Sequence, residues 1–287
     1  MICPSCVSTL ALVAAGTTSS AGLSALVIRL RRRARPAAPP DAPTRRPEID
    51  MEHPTVASRA EWLAARRALL ASEKEATRLR DAIAAQRRAL PVVRIDNSYE
   101  FDGPAGRTTL RALFGAHRQL VVYHFMFAPT WDEGCKSCSY VMDNVAGGLV
   151  HLTAADTAFA AVSRAPLAKL EAFKARMGWR FPWVSSGESD FNYDFHVTLD
   201  DARGSVEYNY ESATDLRRRG EIPQVPGDLP GFSVFVRDRD DLFHTYSTYQ
   251  RGVDTFLNTY NLLDLTPLGR GESRPMQWVR YHDRYEM

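Results

Sequence analysis

The chain has 287 residues, 45% hydrophobic and 24% charged, an ordinary globular mixture with room for a sizeable core. Four cysteines are too few to staple a secreted framework of this length; they fall into two Cys-x-x-Cys pairs, Cys3/Cys6 and Cys135/Cys138, which point to redox or metal chemistry. Of 36 basic and 34 acidic residues, seven arginines and one acid lie between positions 29 and 46, leaving 29 basic and 33 acidic residues further on, without the basic excess of a nucleic-acid binder.

Residues 7–28 are 22 uncharged positions, long enough to cross a bilayer as a helix, which makes residues 1–33 a candidate membrane anchor. Nine of the 22 are Ser, Thr or Gly, so the apolar drive is weak. Arginines follow the segment and none precede it, a pattern that disfavours a cleaved signal peptide and, on insertion, keeps the following domain cytoplasmic. Five prolines in residues 34–50 describe a stiff linker whose arginines can rest on anionic head groups. Residues 51–91 read as an N-terminal helix, opened by a Ser58/Glu61 capping box and stopped at Pro91. Its apolar residues Trp62, Leu69, Ala76, Ile83 and Leu90 recur every seven positions. Such a stripe can join two chains as a homodimer, but docking onto its own domain is commoner and is the arrangement expected here.

Residues 92–287 alternate strand and helix. "PVVRI" and "YEFDG" read as strands with a Gly-Pro turn, "TTLRALFG" as a helix, and "QLVVYHFMF" as a strand buried on both faces. From Cys138 the spacing of Val141, Val145 and Leu149 predicts a helix broken near Gly147-Gly148, so Cys135/Cys138 sit at a strand-to-helix junction. "TAFAAVSR", "FPWVSS", "GFSVFVRD" and "LFHTYSTY" read as further strands. "APLAKLEAFKARMG" and "GVDTFLNTYNLLDL" read as helices, "SDFNYDF" as a short turn or helix, and residues 199–228 as an insertion. The order implies an α/β mixed sheet covered on both faces.

That order, with Cys-x-x-Cys between a buried strand and a helix, resembles the thioredoxin fold. The phrases "YHFMFAPTWDEGCKSCS", "VSRAPLAKLEAFKARMGWRFPWVSS", "DFNYDF", "FHTYSTYQRG", "LDLTPLGR" and "WVRYHDRYE" resemble more closely a bacterial thioredoxin-like family filed as domain of unknown function 899, over about residues 52–287. The resemblance implies a thioredoxin-like domain preceded by the long helix and the candidate membrane segment. Two departures stand out. Thioredoxins place Trp directly before the first cysteine, whereas Gly134 occupies that position and Trp131 lies four residues ahead of Cys135. Peroxiredoxins carry Thr or Ser three residues before the reactive cysteine, where this chain has Asp132, which counts against peroxidase activity. The fold also implies a cis-proline facing the cysteines, and Pro230 in "LPGFSVFV" is the best match, ahead of Pro226.

The spacing suits thiol chemistry. A helix N-terminus and neighbouring Lys136 favour a Cys135 thiolate, while Asp132 and Glu133 oppose it. Cys135 is expected as nucleophile and Cys138, one turn on, as resolving residue, with Trp131, Gly134, Lys136 and Pro230 supporting the site. The expected reaction is thiol-disulfide exchange with a protein or small-molecule partner and no further cofactor. A non-catalytic scaffold and a thiol peroxidase are the alternatives. Zinc needs about four ligands, and the two cysteine pairs do not match ribbon or finger spacing. His124, inside the apolar strand, is expected as a satisfied core residue. The aromatics Trp179, Phe181, Trp183, Phe191, Tyr193 and Phe195 can line a cleft, though core packing is the commoner role.

Overall fold

Helix α1 (Arg59–Arg88) opens the part of the chain that the computed structural model describes, residues 55–187, 189–203, 206–224 and 227–286. Its start is the capping box: the Ser58 amide donates to Glu61 Oε2 at 2.8 Å and the Glu61 amide to Ser58 Oγ at 3.3 Å. The expected docking onto the domain does not occur. No α1 residue is buried, and Trp62, Leu69, Leu79 and Leu90 are 48%, 55%, 60% and 47% exposed. One apolar residue every second turn makes too narrow a stripe to hold a helix against its own sheet. Contact with the domain comes at the far end, where the Arg87 guanidinium lies 5.1 Å from the Tyr246 ring centroid. The candidate anchor, the proline linker and Cys3/Cys6 lie outside the described residues, within which no helix is long and apolar enough to cross a membrane.

After α1 come β1 (Val93–Arg94) and a hairpin of β2 (Glu100–Gly103) and β3 (Gly106–Thr109), whose turn puts Gly106 at φ +105, a conformation that glycine adopts without strain. Helix α2 (Leu110–Leu113) is capped by the Thr109 side chain and leads to β4 (Gln119–His124). Next stand α3 (Lys136–Val145), α4 (Leu149–Ala154), β5 (Thr157–Ser163), α5 (Leu167–Arg176), β6 (Trp183–Ser185) and α6 (Phe191–Asp194). The expected insertion is itself folded. It holds β7 (Thr198–Leu199), β8 (Glu207–Tyr208), β9 (Glu211–Ser212), α7 (Ala213–Arg218) and β10 (Gly227–Asp228), closed over a small core that includes Leu199, Tyr208, Leu216 and Ile222. The hairpin of β11 (Gly231–Asp238) and β12 (Asp241–Tyr249) follows. The closing helix is divided into a 3-10 stretch, Gln250–Phe256, and α8 (Asn258–Leu263); between them Leu257 leaves helical geometry and is fully buried.

The main sheet runs β1-β12-β11-β4-β5-β6-β2-β3. Strands β4, β5 and β6 are parallel, while β11 is antiparallel to β4 and to β12. Strands β4 and β5, joined through α3 and α4, followed by the hairpin on the other side of β4, give the thioredoxin-like order β12-β11-β4-β5. Helices cover both faces, and for this reason the middle of β4, Leu120 to Tyr123, is apolar on both. Tyr123, Phe125 and Phe127 join α3, α5 and α8 in one cluster, whereas Leu120 and Val122 join Phe191, Phe195 and Phe235 on the opposite face. Trp179, Phe181 and Trp183 belong to the first cluster and Phe191 and Phe195 to the second, so these aromatics pack two cores and line no common cleft.

Candidate active site

The chain leaves β4 and turns back on itself before α3. The Phe125 amide donates to the Val162 carbonyl at 2.9 Å and the Ala165 amide to the Phe127 carbonyl at 2.8 Å, which holds the strand exit against β5. The Cys135 amide then donates to the Met126 carbonyl at 3.0 Å, closing the loop. Cys135 is the N-cap of α3, at the positive end of the helix dipole. Gly134 explains the missing tryptophan: a Cβ there would stand 2.7 Å from Phe125 Cε1 and 3.1 Å from Phe173 Cε1. Any side chain at this position collides with the ring layer beneath the loop.

Both thiols are free; Cys135 is partly exposed, and Cys138, one helical turn on, is 1% exposed. The two interact directly. The Cys138 thiol donates to the Cys135 sulfur, the main influence that brings the Cys135 pKa down to about 7; burial opposes it, and the Cys138 and Ser137 amides and the Ser137 hydroxyl assist. Burial, with its proton held against Cys135, pushes the Cys138 thiol well above its ordinary range. The Met126 amide donates to Cys138 Sγ at 3.4 Å. The fully buried Tyr123 hydroxyl, without a conventional partner among the described residues, lies against the same sulfur.

The sequence-derived supporting residues separate. Lys136 is exposed and is not among the leading influences on Cys135. Trp131 is exposed on the loop, its carbonyl accepting from Lys169 Nζ at 2.7 Å. Pro230 stands at the entry to β11, as the fold requires, and its carbonyl accepts from the Tyr208 hydroxyl at 2.7 Å. The expected cis geometry is absent: every described peptide bond is trans. Pro226 lies outside the described residues. His124 is buried as expected but only half satisfied, with Nε2 2.8 Å from Ser233 Oγ and Nδ1 without a partner among the described residues.

Sequence reasoning missed the residues that hold the loop from outside. The Tyr281 hydroxyl donates to the Gly134 carbonyl at 2.6 Å, and its ring packs edge-on against Phe173. Arg176 joins Glu133 at 2.5 Å to Asp283 at 2.8 Å, and Arg284 also reaches Glu133. His282 Nδ1 lies 2.8 Å from Asp143 Oδ1. The closing segment is thus strapped along α3, from Glu133 and Gly134 before its start to Asp143 in its last turn. Among the described residues no group of three or more His, Cys, Asp or Glu could hold a metal ion.

The family model described as bacterial protein of unknown function (DUF899) matches residues 51–285. The chain belongs to that family. A comparison with curated proteins returns no match. Among solved structures, the DUF899 chain is similar to a peroxiredoxin Q from Xanthomonas campestris, at 18% identity over 60% of this chain and 98% of that one, with a TM-score of 0.40. It is also similar to peroxidoxin BcpB from Mycobacterium tuberculosis, at 13% identity over 61% and 96% with a TM-score of 0.39. A secreted disulfide oxidoreductase from Mycobacterium tuberculosis follows at 12% identity over 56% and 92%, with a TM-score of 0.30. Strand order and register, rather than these likenesses, carry the fold assignment for this DUF899 member.

Proposed function

We propose that this DUF899 protein is a thiol-disulfide oxidoreductase that cycles Cys135 and Cys138 between dithiol and disulfide. One observation carries the reading: a cysteine at a helix N-cap, its pKa drawn down to about 7 by a buried thiol one turn away. The Cys135 thiolate attacks a substrate disulfide, forms a mixed disulfide and expels one thiolate, which takes a proton from water. Cys138 then gives up its proton and attacks the Cys135 sulfur; the intramolecular disulfide forms, and the second substrate thiolate leaves as a thiol. Two electrons pass to the substrate, and an external thiol restores the pair. Cys138 is suited to the second step because its high pKa keeps it protonated until the mixed disulfide removes the Cys135 charge.

Turnover of insulin or of a low-molecular-weight aromatic disulfide by the full chain, with dithiothreitol as reductant, tests the reading. Cys135→Ser is expected to lose turnover, and Cys138→Ser to accumulate a mixed disulfide detectable by mass. Wild-type rates no faster than free dithiol, or a Cys135→Ser variant that still turns over, would sink it. Hydrogen peroxide in place of the disulfide is the control arm for peroxidase chemistry.

A further inference from the structure

Helix α1 is the long surface that the described domain leaves uncovered. Its apolar residues Trp62, Leu69, Ala76 and Ile83 recur at seven, with Ala65, Ser72, Leu79 and Gln86 three positions after them, the two seams of a coiled coil. Most helical stability in proteins comes from packing an apolar face, yet this 30-residue helix buries no side chain on its own domain. We propose that α1 pairs with α1 of a second copy of this chain, as a parallel, in-register two-stranded coiled coil.

Charge selects this occupant and this register. In a parallel pair, residues flanking the seam meet across the interface at positions five apart, which sets Glu61 opposite Arg66, Ala68 opposite Glu73, Glu75 opposite Arg80 and Ala82 opposite Arg87. The charge-to-charge meetings are Glu61 with Arg66 and Glu75 with Arg80 of the second copy, each made twice by the two-fold symmetry, and no like charges face each other. Arg66 and Glu73 are already joined along one helix at 2.8 Å, whereas Glu75 and Arg80 are exposed and form no ion pair among the described residues. The small and polar seam members Ala76, Ser72 and Gln86 make this a reversible association rather than an obligate one. The interface is independent of the redox chemistry, since the cysteine pair lies in another part of the chain.

Sedimentation of the full chain at high and low micromolar concentration tests the pairing. The wild type is expected at twice the chain mass at the higher concentration. Leu69→Asp is expected to sediment as a single chain there, with the near-ultraviolet circular dichroism of the domain unchanged, because Leu69 is 55% exposed and belongs to no buried cluster. Glu75→Arg replaces two attractions by two repulsions and is expected to raise Kd about tenfold, while Glu75→Arg with Arg80→Glu restores it to within about twofold. A wild type of single-chain mass throughout, or a dimer that survives Leu69→Asp, overturns the interface. Failure of the double reversal to restore affinity overturns the parallel register.

Discussion

The chemistry of Cys135 rests on its neighbours' protons. Its pKa falls from 9.0 to about 7 chiefly through the Cys138 thiol, so the thiolate fraction, and with it the rate of iodoacetamide labelling, is expected to rise with a midpoint near pH 7. Cys138→Ser exchanges the sulfur donor for a hydroxyl, so a shift of the midpoint toward the ordinary thiol range measures how much the thiol itself contributes. A midpoint near 9 in the wild type would remove the basis of the oxidoreductase reading. For Cys135 alone the sign follows: a lowered thiol pKa adds stability that is full above 9 and is lost as pH falls through 7, while the raised Cys138 pKa works the opposite way at alkaline pH. Gly134 sets the second test at this scale. Gly134→Ala forces a methyl against Phe125 and Phe173 and is expected to cost about 1 to 3 kcal/mol in urea unfolding. Gly147→Ala, where nothing lies within 4 Å, is expected to be near neutral.

At the scale of elements, the strand β4, the junction after it and the helix α3 were legible because their signals are local: a run apolar on both faces, then a cysteine pair in phase with a helical stripe. The strap over the junction was not legible. Its ion pairs join Glu133 to Arg176 and Arg284, and Arg176 to Asp283, residues 43, 151 and 107 positions apart that no periodicity connects. Pro230 shows a middle case, in which the fold fixes the place of a residue while its peptide geometry depends on the packing around it. The strap is also the element most open to measurement. Arg176 bonds two carboxylates and lies against the Phe173 and Tyr281 rings, at 5.5 and 5.0 Å from their centroids. Arg176→Ala is expected to cost about 1 to 2 kcal/mol, because a networked, ring-packed guanidinium is lost, and to speed proteolysis within residues 276–286. Arg219→Ala removes two exposed pairs, to Glu211 and Glu221, and is expected to leave the urea midpoint where it is, because water screens both.

Across the whole molecule the sheet divides the titrating groups by face. One cluster surrounds the thiols, whereas the opposite side holds a hydrogen-bonded row, His124 Nε2 to Ser233 Oγ, Ser233 Oγ to Ser247 Oγ, and Ser247 Oγ to His244 Nε2, each 2.8 Å. Burial, reinforced by His244, holds His124 neutral with a pKa of about 3, and burial lowers His244 as well. Below pH 6.5 the unfolded chain takes up a proton that folded His124 refuses, so stability present above 6.5 drains away as pH falls toward 3. The loss is expected to reach about 1.4 kcal/mol per pH unit from His124 alone, steepened by His244, and urea midpoints recorded between pH 7 and 4 measure it. His124→Gln cannot take that proton in either state and is expected to flatten the slope whatever it does to stability at pH 7. An unchanged slope in this variant would show that the acid sensitivity arises elsewhere and that the buried row titrates in the folded protein.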